Sequence, residues 1–250
     1  PSEARAAAAK ALLAVNPADS IPIVTADLQS APTATQTALA HPLATTKEGA
    51  TALVEAIGNG RAAPALLRDK ALADSLKATG HGERIAAMIA ALPPANLEIE
   101  KRLRERRAMF DPIAASPVRG AQLYTTHCGA CHRINGQGGL IGPQLDGIGS
   151  RGLDRILEDI IDPNRNVDRA FRTSLVTLND GNVVAGLLRR EGGAQLVLAD
   201  FTGKEQSIPR ANVKSRTENE SSLMPPTFAD TIPAADFNDL LAYLLSVKAQ

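Results

Sequence analysis

The spacing of apolar residues predicts three amphipathic helices in the second half of the chain. The first spans residues 117–127, the second lies around residues 153–161 and ends before Pro163, and the third spans residues 233–247. Apolar side chains recur three or four residues apart in each segment, which places them on one face of a helix. The clearest stripe, in the third helix, consists of Phe237, Leu240, Leu241, Leu244 and Leu245. These faces predict a helical core.

Between the second and third of these helices, the pattern changes to that of β-strands. Residues 171–178 alternate between apolar and polar, and the Asp-Gly turn that follows is typical of a hairpin. Further strands are predicted over residues 183–190, 195–199 and 205–208. The sequence therefore predicts a small antiparallel β-sheet, inserted at about residues 171–216 and expected to be locally self-contained.

The first hundred residues predict a series of short helices. Ser2–Val15 is rich in alanine, and further helical segments at residues 51–57, 62–67, 69–78 and 83–92 end at Gly or Pro. Helix pairs of this kind suggest degenerate HEAT-like repeats, although no clean period is visible. Residues 98–109 are highly charged and predict a solvated linker helix. The expected fold class is mainly α, with a helical-repeat region at residues 1–110 and a second domain at residues 111–250.

The composition narrows the classes of partner. Aromatic residues make up 3% of the chain and Trp is absent, so the cores must be built from Ala, Leu, Ile and Val. Lys and Arg together number 27, as do Asp and Glu, so the formal net charge is zero. A nucleic-acid groove or an anionic-membrane patch would need a basic surplus. No apolar run reaches the ~18 residues of a membrane span. We expect no nucleic-acid partner and no membrane span. The polar start, Pro1-Ser2-Glu3, is not what we expect of a secretory leader, which would be missing from either a mature chain or an excised fragment.

Both cysteines of the chain, Cys128 and Cys131, lie in the pentapeptide Cys-Gly-Ala-Cys-His that ends at His132. A structural disulfide at this spacing would have poor geometry and would close only a tiny loop. A zinc site would need a further pair of ligands, and a thioredoxin-like redox pair would show the same spacing. The remaining histidines form no second pair: His41, His81 and His127. The order C-x-x-C-H is instead typical of covalent attachment of a c-type haem, whose iron His132 would bind.

Two further segments follow the pentapeptide in an informative order. They are Gly142-Pro-Gln-Leu145 and Leu223-Met-Pro225, and the amphipathic helix at residues 233–247 closes the chain. A helix ending in C-x-x-C-H, followed by these segments and a closing helix, resembles a class I cytochrome c. The resemblance implies one covalent haem c and a crossing of the first and last helices near a glycine and an aromatic residue, here Gly120 and Tyr243.

The resemblance also implies roles for single residues. His132 would be the proximal iron ligand and Met224 the distal one, with Pro143 beside the proximal histidine and Arg151 near a haem propionate. Met88 and Met109 are the rival methionines. Met88 falls on an apolar helix side and is predicted to be core, whereas Met109 lacks a flanking proline. An apolar shell around the haem would include Leu140, Ile141, Leu145, Ile148 and Leu153.

The distance between the two expected iron ligands departs from that of a small class I domain. Met224 follows His132 by 92 positions, and the predicted sheet occupies much of this interval. The long insertion, with its Asp162-Pro-Asn segment, resembles the haem domain of large secreted proteins of planctomycetes and verrucomicrobia, where it commonly follows a sugar-dehydrogenase-like β-propeller and helical repeats. This resemblance covers most of residues 111–250 and implies a periplasmic or secreted location.

Three functions are compatible with these residues. The leading one is an electron carrier rather than an enzyme, which passes electrons from a periplasmic dehydrogenase, such as a sugar dehydrogenase, to an acceptor. Two axial ligands leave no open iron site, and Met/His ligation raises the reduction potential. The alternative is an open-site haem enzyme or sensor of peroxidase-like type, for which Arg216 could be a distal group while His127 is badly placed. The third is a docking module of a larger dehydrogenase.

Overall fold

The computed structural model describes residues 2–249 and divides the chain after Glu98 into two compact units. The sequence-based boundary lay at residue 110. The two differ because the charged segment before residue 110 packs within the second unit. No helix among residues 2–249 is long and apolar enough to cross a lipid bilayer.

The first unit is entirely helical over its described residues. Its helices are α1 (Ser2–Val15), α2 (Pro17–Ser30), α3 (Thr33–Leu43), α4 (Lys47–Gly58), α5 (Lys70–Leu76) and α6 (Gly82–Ala90), with a short 3₁₀ turn at Pro64–Arg68. The buried hydrophobic residues described in this unit are Ala, Leu, Ile and Val, as the composition predicts. The helices α2 and α3 were not predicted. The helices vary in length from 7 to 14 residues, so their lengths do not establish a regular repeat. HEAT-like repeats therefore stay a prediction.

A buried glutamine cross-links the core of this unit. The Gln36 side-chain nitrogen donates to the backbone oxygens of Leu28 and Ala31, at 2.8 and 3.1 Å. Its side-chain oxygen accepts a hydrogen bond from the backbone N–H of Ala63 at 2.8 Å. A buried amide is stable only when its donors and acceptors are paired, so this residue ties three segments of the unit together.

The second unit contains the helices predicted from the apolar stripes. They are α7 (Leu97–Met109), α8 (Pro117–His127), α9 (Gly152–Ile161), the short α10 (Phe228–Thr231) and α11 (Ala234–Ser246). Helices α8 and α11 cross at Gly120, where an added Cβ would lie 2.0 Å from the Asp239 oxygen and 2.7 Å from Tyr243 Cβ. Only glycine permits so close an approach. The crossing expected near Gly120 and Tyr243 is therefore confirmed.

Helix α7 is not the solvated linker that its charge pattern predicted. Ile99, Leu103 and the following Phe110 pack against the core of the second unit. Its arginines also bind other elements, because Arg102 pairs with Asp230 at 2.7 Å and Arg107 pairs with Asp154 at 2.7 Å. The sequence-based prediction was wrong because the alternating charges left only a narrow apolar side, and because the ion pairs join residues that are distant in the chain.

The inserted sheet is antiparallel, as predicted, but it has one strand more than expected. Its strands are β3 (Arg172–Leu178), β4 (Val183–Gly192), β5 (Gln195–Ala199), β6 (Glu205–Pro209) and β7 (Val213–Ser222), in the order β6-β5-β4-β3-β7. A two-residue ladder of β1 (Arg133–Ile134) and β2 (Gln137–Gly138) lies nearer the pentapeptide. The sheet has a small core of its own, formed by Val176, Leu196, Leu198 and Ile208.

Strand β7 moves the end of the insertion from the expected residue 216 to Ser222. Its sequence, Val-Lys-Ser-Arg-Thr-Glu-Asn-Glu-Ser-Ser, has no apolar alternation to reveal it. The strand lies at the edge of the sheet, next to β3, with which it pairs. Edge strands commonly carry polar and charged residues, so tertiary pairing rather than local pattern determines this strand.

Candidate haem site

The pentapeptide forms one tight turn at the end of α8. The backbone N–H groups of Cys128 and Gly129 both donate to the Tyr124 oxygen at 2.8 Å. Within the turn, Cys131 N–H and His132 N–H donate to the Cys128 oxygen, at 3.1 and 2.9 Å. The helix end therefore fixes the two thiols and the imidazole as a unit.

The two cysteines are not joined to each other, and their surroundings disfavour a redox thiol pair. Cys128 packs against the hydrophobic core of the second unit. Burial, together with the neighbouring Cys131, raises the pKa of Cys128 to about 12. Burial also raises the pKa of Cys131. A reactive redox cysteine needs the opposite shift, since the thiolate is the nucleophile.

The geometry also fails to provide a zinc site. Within residues 2–249, no group of three or more His, Cys, Asp and Glu side chains is close enough to hold a metal ion. A structural zinc ion requires four such ligands. The pentapeptide thus lacks the additional ligands on which the zinc interpretation depended.

His132 is oriented as a ligand of iron would need to be. Its Nδ1 lies 2.9 Å from the backbone oxygen of Pro143. Because a carbonyl oxygen only accepts, Nδ1 carries the proton and Nε2 keeps its lone pair. Burial lowers the pKa of His132 and so favours the neutral imidazole that binds metals. The donor set of two thiols and this imidazole fits a covalently attached haem.

The loop after the pentapeptide is shaped around the imidazole ring. A Cβ atom on Gly142 would lie 2.5 Å from His132 Cε1, so this glycine lets the backbone contact the ring. Gly142 N–H donates to the Cys131 oxygen at 2.9 Å, and the Tyr124 hydroxyl donates to the His132 oxygen at 2.8 Å. The Gly142-Pro143 segment lies against His132, as the resemblance to class I cytochromes c implied.

Arg151 has a partner within the chain. Its Nη1 lies 3.0 Å from Asp159 Oδ2, while Arg155 Nε lies 2.8 Å from Asp159 Oδ1. Arg155 is buried and also donates to the Asn166 side chain at 3.0 Å. Two guanidinium groups therefore share one carboxylate. Contact of Arg151 with a propionate stays a prediction, and sequence reasoning missed Arg155, whose i, i+4 spacing to Asp159 was the available signal.

The three methionines have different surroundings. Met88 packs against the core of the first unit, and Met109 is more than half exposed. Met224 packs against the same hydrophobic core as Cys128. These surroundings agree with the preference for Met224, whose binding to iron stays a prediction.

The Met224 segment is tied to two neighbouring elements. Met224 N–H donates to Ser222 Oγ at 3.0 Å, and Ser222 N–H donates to the Asn164 side-chain oxygen at 2.8 Å. The Thr173 hydroxyl of β3 donates to the Ser221 oxygen at 3.0 Å. The inserted sheet therefore ends in the methionine segment, and the contributions of Asn164 and Thr173 were not visible in the sequence.

The residues expected to form an apolar shell around the haem differ in their burial within the protein. Leu145, Ile148 and Leu153 belong to the core that contains Met224, and Ile141 is buried nearby along the chain. Leu140 is 46% exposed to the surroundings of the protein chain, and its contact with a haem stays a prediction.

The comparison with known families agrees with this geometry. Residues 117–185 match the family model of cytochrome c, a segment that begins at α8 and extends into β4. This match supports a c-type cytochrome domain with covalent haem c, and hence haem-based electron transfer. No curated protein matches the chain.

Proposed function

We propose that the second unit carries one haem c, bonded to Cys128 and Cys131, with His132 and Met224 as the axial ligands of its iron. The observation that carries this proposal is the contact between His132 Nδ1 and the Pro143 oxygen. It leaves Nε2 of the residue that directly follows Cys131 available, and neither Cys128 nor Cys131 is in a disulfide. The chain would act as an electron carrier.

The protein side chains would hold the cofactor and tune it. The haem supplies an iron that changes its oxidation state by one electron. His132 is held in one tautomer, and the prolines at 225 and 226 restrict the backbone beside Met224. The apolar core that contains Met224 would keep water from the iron, and a Met/His ligand pair raises the reduction potential.

The open-site alternative is less well supported. A peroxidase-like site needs a His or Arg on the distal side of the iron, and the two candidates have other contacts. Arg216 pairs with Glu191 at 3.2 Å. The His127 ring packs edge-on against Phe228, with the ring centroids 6.5 Å apart. These contacts favour the electron carrier.

The donor we propose is a periplasmic or secreted dehydrogenase, and a sugar dehydrogenase is the candidate that the sequence resemblance suggests. The same resemblance supports a location outside the cytoplasm. The all-helical first unit is compatible with a docking role in a larger dehydrogenase, because helical repeats commonly bind protein partners.

The axial ligand can be tested with two methionine variants. The oxidised wild-type protein should show the weak near-infrared band of iron–sulfur ligation. Met224→Ala should abolish this band, lower the midpoint potential and let cyanide bind readily, because the iron loses a ligand. Met109→Ala is the matched control, since Met109 is exposed and should leave all three properties unchanged.

Retention of the band and the potential in Met224→Ala would show that another group binds the iron. Absence of any reversible change in the visible spectrum between reduced and oxidised protein would contradict electron transfer itself.

A further inference from the structure

Strand β7 is irregular at the end that leads to Met224. Arg172 of β3 faces Ser222, whereas the next residue of β3, Thr173, faces Asn219. Two residues of β7 therefore lie between partners that are adjacent in β3, which makes this end of the strand a β-bulge. Bulges bend a strand and redirect its side chains. The sheet thus ends in a bulge two residues before Met224.

Thr173 holds this bulge from the sheet. The residue is 7% exposed, and its hydroxyl donates to the backbone oxygen of Ser221 at 3.0 Å. Ser221 is one of the two bulged residues. A bulged residue is left out of the regular ladder, so its backbone groups need partners from elsewhere. Thr173 supplies such a partner next to the methionine.

Asn164 holds the following residue from outside the sheet, in the loop after α9. Its side-chain oxygen accepts a hydrogen bond from Ser222 N–H at 2.8 Å. The Ser222 hydroxyl oxygen in turn accepts a hydrogen bond from Met224 N–H at 3.0 Å. Two hydrogen bonds in series therefore connect this loop to the backbone of Met224. On the other side of Met224, the prolines at 225 and 226 restrict the chain.

The loop that carries Asn164 is fixed by the next residue, Arg165, whose side chain is only 9% exposed. The guanidinium pairs with Glu100 of α7 at 2.5 Å and with Asp162 at the end of α9 at 3.1 Å, and it lies 3.8 Å from Glu158 of α9. A planar guanidinium that is shared by carboxylates of different elements has little freedom to move. Asn164 therefore extends from a loop that is anchored to both helices.

We propose that Thr173 and Asn164 are positioning residues for Met224, and that the inserted sheet thereby keeps this methionine on the iron. The inference rests on the proposed function, because the two residues act only through the ligand. A Met/His ligand pair raises the reduction potential, so the thioether binds oxidised iron less firmly than reduced iron. A segment that is held before ligation loses less entropy when the ligand binds. The two hydrogen bonds therefore matter most in the oxidised protein.

Release of Met224 can be measured in the oxidised holoprotein with cyanide. At high cyanide concentration, the rate of cyanide binding is limited by release of the methionine from the iron. Thr173→Val keeps the β-branched shape and removes the hydroxyl, so this limiting rate should rise by about threefold to tenfold. The midpoint potential and the near-infrared band should be retained, because the methionine stays bound for most of the time.

Thr177→Val is the matched control. Thr177 lies on the same face of β3 as Thr173, four residues further along the strand and roughly 13 Å away. It undergoes the same chemical change within the same sheet, so it reports the effect of losing a threonine hydroxyl alone. We expect its limiting rate to stay within about twofold of wild type.

Asn164 can be tested with two substitutions. Asn164→Ala should also raise the limiting rate by about threefold or more, because Ser222 N–H loses its acceptor. Asn164→Asp keeps an acceptor oxygen and should restore a rate close to that of wild type. Asn179→Ala is the control, since it removes the hydrogen bond to the Ala211 oxygen at the far end of β3 and should leave the rate unchanged.

An unchanged limiting rate in Thr173→Val or in Asn164→Ala would overturn the positioning role, as would an equal rise in the control variants. A wild-type protein that lacks the near-infrared band and binds cyanide as fast as Met224→Ala would instead refute the axial ligation of the proposed function. The two failures are therefore distinguishable in the same samples.

Discussion

At the scale of the residue, one buried carboxylate joins the two helices that frame the site. Asp239 of α11 is almost fully buried and accepts three hydrogen bonds. Arg119 donates from Nε at 2.6 Å and from Nη2 at 3.2 Å, and the backbone N–H of Ser116 donates at 2.6 Å. The hydrogen bond from Arg119 is the main cause that holds the pKa of Asp239 below its usual value.

We expect Asp239→Asn to destabilise the second unit by about 1–3 kcal/mol at pH 7, since charged hydrogen bonds are lost. An aspartate in an unfolded chain has a pKa of about 3.9. Because the folded pKa is lower, the stabilisation is present above about pH 4 and is lost as the pH falls through the folded value. The free energy of unfolding, measured with urea at pH 7 and pH 3, should thus differ less between the two proteins at pH 3.

Glu105→Gln provides the comparison for this variant. It removes an exposed carboxylate that lies 3.7 Å from Lys101 and should change the stability by less than about 0.5 kcal/mol. A difference between wild type and Asp239→Asn that is the same at both pH values would show that the carboxylate charge is not what matters.

Single residues also show how far the sequence alone leads. Cys128, Cys131 and His132 could be identified because their chemistry depends on local spacing, which the sequence displays directly. Asn164 and Thr173 could not, since they act through partners that are distant in the chain. Their hydrogen bonds exist only once the sheet has folded against the methionine segment.

At the scale of the element, α7 shows how a charge pattern can mislead. Arg106 contacts two elements of the second unit, with its guanidinium 4.9 Å from the centre of the Phe237 ring and Nη2 donating to the Ala229 oxygen. A guanidinium over an aromatic face is attracted by the ring. Helix α7 is therefore packed into the second unit through these contacts.

Arg106→Ala should lower the free energy of unfolding of the second unit by about 1–2 kcal/mol, through loss of the ring contact and the hydrogen bond. Arg104→Ala is the control, because Arg104 is exposed on the same helix. Thermal unfolding followed by circular dichroism compares the two variants. Equal unfolding temperatures of the two variants would show that the contacts of Arg106 do not stabilise the second unit.

Elements with a clear period were predicted well, and those without one were not. The stripes of α8, α9 and α11 and the alternation of β3 and β4 follow from their buried faces. Strand β7 and helix α7 are polar over most of their surface and owe their positions to neighbouring elements. Periodicity reports burial, so it is weakest where burial is slight.

At the scale of the whole molecule, the chain combines two units with separate cores. The match to the cytochrome c family covers residues 117–185, within the second unit. The first unit has an apolar core but no motif with recognisable chemistry, so its sequence predicts structure better than function. The inserted sheet leads directly into the methionine segment of the second unit.

The proposed electron transfer depends above all on covalent attachment of haem to the pentapeptide. The most direct test is the intact mass of the denatured protein after export with a c-type maturation system. We predict the mass of the chain plus one haem, and the mass of the bare chain for the variant with both Cys128→Ala and Cys131→Ala. A wild-type protein of bare-chain mass, made in cells that load a known c-type cytochrome, would contradict the account.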